Sequence, residues 1–237
     1  MKRISISIQM GNRGNGIMTE DYLFITEVGS RMWGMATPSS DYDLFHVFQQ
    51  PSSEYLRTST FEKTHAAKSY FENSREIDAQ YMEIGHLVNL LKKGNVNAIW
   101  SVCSPIIYKD SEWLSKLRNI VTDNLSKSTY ASINGMAHSQ LNDVMKRASV
   151  KDPLKSKATT MRTLQFGVTM LMNHKIEFKP PEDDVTNENI GKWFRYLELA
   201  EEKSILPDEV NVKPFEDFLY DIRMSEIFDG FNIKIKS

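Results

Sequence analysis

Gly29-Ser30-Arg31-Met32-Trp33-Gly34, followed after a short polar stretch by Asp41-Tyr42-Asp43-Leu44-Phe45, decides how this chain is read. Upstream, Tyr22–Val28 is rich in aromatic and β-branched residues and is bounded by Gly29, which predicts a strand. Asp41–Phe48 predicts a second strand. Between them, Thr37-Pro38-Ser39-Ser40 supplies turn chemistry, with proline presetting φ and the hydroxyls free to bond nearby N–H groups. The expected unit is strand, glycine-bearing elbow, strand, with two acids one residue apart on the second strand.

Side chains alternate along a strand, so Asp41 and Asp43 share a face, with Cα atoms roughly 6.5–7 Å apart. With oxygens about 4 Å apart and an effective dielectric of about 20, the two carboxylates would repel by about 4 kcal/mol. Such a pair calls for a cation or a shared proton. Hard oxygen donors favour Mg²⁺, with Mn²⁺ the other candidate, held by one or two carboxylates plus substrate phosphates. Gly29 and Ser30 suit the phosphate side, because a residue without Cβ lets main-chain N–H groups approach an anion. Two such ions about 3.5–4 Å apart would clamp the attacking and leaving oxygens of an in-line phosphoryl displacement. A lone Asp-x-Asp is common on solvated strand faces. Joined to Gly-Ser-Arg and Gly34 at this spacing, the pattern is specific.

The run from Gly29 to Phe48, GSRMWGMATPSSDYDLFHVF, resembles the nucleotidyltransferase signature of the DNA polymerase β superfamily. It is most similar to the RNA-ligase-associated predicted nucleotidyltransferases, the RlaP family. The resemblance continues through Ile77-Asp78, Leu90-Leu91-Lys92-Lys93-Gly94-Asn95 and Ser104-Pro105-Ile106-Ile107-Tyr108, and is looser in the second half. It implies an α+β fold: a polymerase β-type mixed sheet with flanking helices, followed by a helical C-terminal half. It also implies an enzyme that transfers NMP from an NTP to a hydroxyl, with RNA or tRNA ends as acceptors. Its third acid falls at Asp78. Lys155, Lys157 and Arg162 resemble the family's Lys and Arg on a C-terminal helix, with the register between the lysines left open. Where the family often carries an acid followed by Trp, this chain has Trp100 and Ser101.

From the residues alone, Arg75–Ile84 reads as a strand leading into a helix, which would set Asp78 beside Asp41 and Asp43 on a neighbouring strand. Glu76 and Glu83 compete for the place of third acid. Asp78 would then be metal ligand and general base for the attacking hydroxyl. Gly29 and Ser30 would position the β and γ phosphates, with Arg31 a nearby charge partner. Lys155, Lys157 and Arg162 either neutralise the triphosphate or a nucleic-acid backbone, or form a solvated basic helix face.

Composition narrows the classes. The chain has 237 residues, 41% hydrophobic and 25% charged, which is ordinary for a globular protein. A formal net charge of −2 gives no global attraction to nucleic acid, so any such binding needs a local basic patch. Cys103 alone excludes an internal disulfide framework and fits a reducing cytosol. No apolar run approaches a membrane span and no signal-peptide pattern opens the chain, so a cytoplasmic protein is expected.

Residues 1–109 read as the catalytic domain and 110–237 as a helical domain completing the cleft. Within the first, Met1–Met10 alternates as a half-buried strand, Gly11–Gly16 is turn material, and Gln49–Ser74 reads as a polar loop carrying His65 and Lys68. Gly85–Lys93 predicts a helix closed by Gly94. In the second, helices are expected from Ser111, over Tyr130–Lys146, over Lys155–His174 with Leu164, Val168, Leu171 and Met172 inward, over Asn187–Lys203 with Trp193, Phe194, Leu197 and Leu199, and over Phe215–Ile222. Two other readings compete: nucleotidylation of a partner protein's tyrosine, as in antitoxin-like minimal nucleotidyltransferases, and a nucleotide-binding scaffold without turnover. Label on protein rather than RNA marks the first; tight NTP binding without turnover marks the second.

Overall fold

The computed structural model describes residues 22–51, 64–72, 75–146 and 152–235. The strand expected over Met1–Met10 and the turn over Gly11–Gly16 lie outside the described residues. Strands β1 (Tyr22–Val28), β2 (Tyr42–Phe48), β3 (Thr64–Glu72), β4 (Arg75–Glu83) and β5 (Ile107–Lys109) form one sheet in the order β3-β4-β2-β1-β5. β2 and β4 run parallel and the other neighbours antiparallel, so the sheet is mixed.

The helices are α1 (Gly29–Met32), α2 (Ile84–Leu91), α3 (Val96–Cys103), α4 (Glu112–Asp123), α5 (Thr129–Lys146), α6 (Pro153–Asn173), α7 (Asn187–Lys203) and α8 (Lys213–Ile235). The fold is α+β. Alternation along β2 sends Asp43, Phe45 and Val47 to one face, and Tyr42, Leu44, His46 and Phe48 to the other. Phe24, Phe45 and Val47 join Leu87, Val96, Leu114, Leu164, Leu197 and Phe218 in one apolar cluster that runs from the sheet through the helical half. A second cluster of Tyr22, Ile25, Leu44, Phe48 and Ile77 occupies the opposite face. Among the described residues no helix is long and apolar enough to cross a membrane.

Three expectations are corrected. Residues 64–72 form edge strand β3, paired antiparallel with β4, not loop. A register shift between His65 and Lys68 breaks the period-two pattern, and an edge strand needs no apolar alternation on both faces. The last helix is not the short segment Phe215–Ile222 but Lys213–Ile235. Its apolar stripe weakens after Ile222, where the sequence signal stops. Met172, expected inside, is 47% exposed, while Met161 and Met170 take the interior places.

Candidate active site

The site is assembled at one end of the sheet, where β1 turns into α1. Gly29 opens that turn at φ +69°, a conformation that L side chains rarely adopt. A Cβ built there would overlap the Asp43 carboxylate. Glycine is therefore demanded twice, by the backbone and by the acid beneath it. Gly34 closes the elbow at φ +68°, with Gly34 N–H donating to the Arg31 carbonyl at 3.0 Å and Met35 N–H to the Ser30 carbonyl at 2.9 Å.

Asp43 lies on β2 in register with Asp78 on β4. Asp41 immediately precedes β2. Asp41, Asp43 and Asp78 are each half-buried, and each offers a carboxylate oxygen within 4.8 Å of the others. The competing acids are placed elsewhere. Glu76 is exposed, and Glu83 caps α2, accepting from the Gly85 N–H at 2.6 Å and the His86 N–H at 3.3 Å. Asp78 also accepts the hydroxyl of Ser69 on β3.

Asp43 is pushed up to about 6, first by burial and then by its neighbours Asp41 and Asp78, while Lys155 and Arg162 pull the other way. A cluster of oxygen donors that repel one another this strongly fits a hard divalent cation. A cation would be held by Asp41, Asp43 and Asp78.

Lys155 and Arg162 come from α6, whose start is fixed by Asp152 accepting the Lys155 N–H at 2.9 Å and by Pro153 in the first turn. Seven residues separate Lys155 from Arg162, about two helical turns, so both face the acids. Lys157, half-buried, lies roughly 200° round the helix from Lys155. The Arg162 guanidinium stacks 4.9 Å from the Trp33 ring centroid and donates to Met35 Sδ at 3.3 Å. Burial lowers it to about 10, with Asp43 opposing. Its Nε has no protein partner among the described residues.

Asp43, Gly29 and Arg162 open onto a cavity of about 450 Å³, also lined by Trp33, Trp100, Gln80, Asn95, Asn97 and Ser101. Trp33 packs edge-on to Trp100 at 5.1 Å, so the residues that depart from the family pattern at 100 and 101 form part of this wall. The Trp100 indole N–H is buried without a protein partner among the described residues. Gln80 was legible two residues beyond Asp78 on the same strand face. Asn95 stood within the run that carries the resemblance, but the Asn97 amide carried no signal, because only the folded chain brings the start of α3 over the sheet.

The sequence matches RlaP, the RNA repair pathway DNA polymerase beta family, over residues 8–192. The chain belongs to the RlaP family. The match reaches into α7, well past the half of the chain in which the motifs are densest. No curated protein matches the sequence. A solved structure, a nucleotidyltransferase-like protein from Exiguobacterium sibiricum 255-15, is 15% identical with a TM-score of 0.34, covering 90% of this chain and 72% of that one. RlaP membership and the mixed sheet together make this a polymerase β-like nucleotidyltransferase fold carrying an acidic triad able to bind metal.

Arg31 stands differently from the other expected site residues. Its Nη2 donates to the Ser40 carbonyl at 2.7 Å and its Nε to the Asp41 carbonyl at 3.2 Å. The same Nε lies 3.2 Å from Glu27 Oε1, and the guanidinium carbon sits 3.9 Å from the centroid of the Tyr42 ring. Glu27 is 2% exposed and also accepts from the Tyr108 hydroxyl at 3.0 Å. Burial raises Glu27 to about 7, with Tyr108 and Arg31 holding it down and Asp43 adding to the rise. Glu27 reads from sequence as one more residue of a strand. Nothing in its local pattern marks it out.

Proposed function

We propose that this RlaP protein transfers a nucleoside monophosphate from an NTP to a hydroxyl, with release of pyrophosphate and with an RNA or tRNA end as acceptor. The observation that carries the reading is the convergence of three carboxylates within 4.8 Å of one another, one of which, Asp43, lines a cavity together with Arg162. Residues 1–109 hold the chemistry and 110–237 complete the cleft through α6.

Asp41, Asp43 and Asp78 would hold Mg²⁺ or Mn²⁺, which when bound would neutralise phosphate charge and stabilise the attacking and leaving oxygens. Main-chain N–H groups around Gly29 and Ser30 cradle the β and γ phosphates. Lys155 and Arg162 balance the triphosphate from the opposite side, with Lys157 a further cation on α6. Asp78 Oδ accepts the proton of the attacking hydroxyl. The new bond forms between that oxygen and the α-phosphorus as the bond to the pyrophosphate oxygen breaks. Trp33 and Trp100 supply an aromatic part of the cavity wall.

The test supplies each of four α-labelled NTPs with Mg²⁺ to the protein and to its Asp41→Asn, Asp43→Asn and Asp78→Asn variants, with RNA and tRNA as acceptors. Label on RNA, with pyrophosphate release and at least a roughly 10³-fold loss in each variant, is expected; one lost electrostatic donor typically costs about 10²–10³. Label on a partner protein instead redirects the acceptor. No transfer to RNA, protein or small molecules with any nucleotide refutes the reading.

A further inference from the structure

The geometry points to Arg31 as a positioning residue for Asp41: its guanidinium clamps the Ser40–Asp41 main chain, is held in place by buried Glu27, and is not a ligand of the substrate phosphates. The inference rests on the reading of Asp41 as a metal ligand.

Three observations carry it. The fork of Arg31 is occupied by the carbonyls of Ser40 and Asp41, the two residues that lead into β2. Its plane is stacked on Tyr42, and alternation along β2 puts Tyr42 on the face opposite Asp43 and the cavity. Glu27 forms an ion pair with the guanidinium from behind, its Oε1 accepting no hydrogen bond among the described residues, and the Tyr108 hydroxyl on β5 donates to the other carboxylate oxygen. The relay Tyr108–Glu27–Arg31–Asp41 thus fixes where the Asp41 carboxylate hangs, from outside the cleft. Lysine is a poor replacement, because its ammonium, though it carries three donors, has neither the fixed planar fork nor the flat face that stacks on Tyr42.

The test is Mn²⁺ affinity of nucleotide-free protein at pH 8, read from the paramagnetic resonance of free Mn²⁺. Groups that orient a metal ligand typically contribute about 10–100-fold in affinity. Arg31→Lys is therefore expected to weaken Mn²⁺ binding about tenfold. Glu27→Gln, which preserves shape, moves it in the same direction and stands in should Arg31→Lys fail to fold. In an Asp41→Asn background Arg31→Lys adds no further loss. Affinity for a fluorescent ATP analogue without divalent metal stays within about twofold of wild type, which a phosphate ligand would not allow.

Undiminished Mn²⁺ binding in Arg31→Lys or in Glu27→Gln overturns the inference. So does a loss that persists in full beside Asp41→Asn, or a fall in metal-free nucleotide affinity. An Asp41→Asn protein that binds Mn²⁺ as tightly as wild type refutes the metal reading itself. That outcome is distinct, because it appears without any change at Arg31.

Discussion

Gly29 and Gly34 bracket the elbow with nearly the same positive φ, yet they are not equivalent. A Cβ on Gly34 meets nothing within 4 Å, whereas one on Gly29 overlaps the Asp43 carboxylate. Gly34→Ala should therefore cost only backbone strain, about 1–3 kcal/mol. Gly29→Ala carries the same strain and also displaces Asp43, so activity should fall at least about 10²-fold, as for a reacting group moved by about 1 Å. Parallel assays of melting temperature and NMP transfer separate the two: similar losses of stability, with the large loss of turnover confined to position 29. Asp43 gives a second prediction at this scale. Its carboxyl is raised to about 6, so below that pH it holds a proton that a metal ion must displace. Mg²⁺ should raise the melting temperature more at pH 7.5 than at pH 5.0, with affinity falling up to about tenfold per pH unit below the transition. A Mg²⁺ shift equal at both pH values would remove Asp43 from the ligand set.

Helix α6 joins the cation side of the cleft to its scaffold, and its first turn depends on one side chain. Asp152 accepts the Lys155 N–H at 2.9 Å, and Lys155 is the residue whose charge reaches Asp43. Asp152→Ala should cost about 1 kcal/mol through loss of the cap, about 2–4 °C in melting temperature for a chain of this size. It should also raise KM for NTP, since fraying begins at Lys155. An unchanged KM with the expected loss of stability would detach Lys155 from the nucleotide. The helix was expected from Lys155, two residues late, although Asp-Pro ahead of an apolar-periodic run is a helix-start signal. β1, the elbow and β2 were legible in advance, because strand composition, turn residues and glycine all agree there. β3 was not, because a bulge and an edge position erase the alternation that reveals strands. Met172 misled because its spacing permits either face of a helix, and only packing chooses. The acids of the site were visible as a motif. Glu27, the holder of Arg31, was hidden because a buried acid within a strand has no local signature.

At the scale of the molecule, the sheet and the helical half share one core, and α8 returns to fasten the sheet. Lys92 pairs with Glu216 at 2.7 Å, and Arg223 reaches Glu83 at 3.5 Å, passing so close to Gly85 that a Cβ there would meet its Nη2 at 2.5 Å. Stability then depends on pH through groups on both faces of the sheet. Asp43 is raised from 3.8 to about 6 and Glu27 from 4.5 to about 7, each chiefly by burial. Groups with raised values hold protons in the folded state, so their contribution is fully present below the unfolded values and is lost as pH rises through the folded ones. His46 works oppositely. Burial between the rings of Tyr22 and Tyr81 lowers it from 6.5 to about 4, so its contribution is present above 6.5 and lost as pH falls toward 4. Between about pH 4.5 and 7 two groups lose stability with rising pH while one gains it. Metal-free protein should therefore melt at a higher temperature at pH 5.5 than at pH 7.5. Glu27→Gln should flatten the dependence near pH 7, where Asp43 and His46 have already titrated. Saturating Mg²⁺ should narrow the difference, because at about 100 times its dissociation constant a ligand adds about 2.7 kcal/mol, and it does so fully only where Asp43 is ionised. Differential scanning calorimetry at the two pH values, with chelator and with Mg²⁺, reads all three effects; metal-free stability that rises from pH 5.5 to 7.5 would mean that the buried carboxyls are not the groups that govern it.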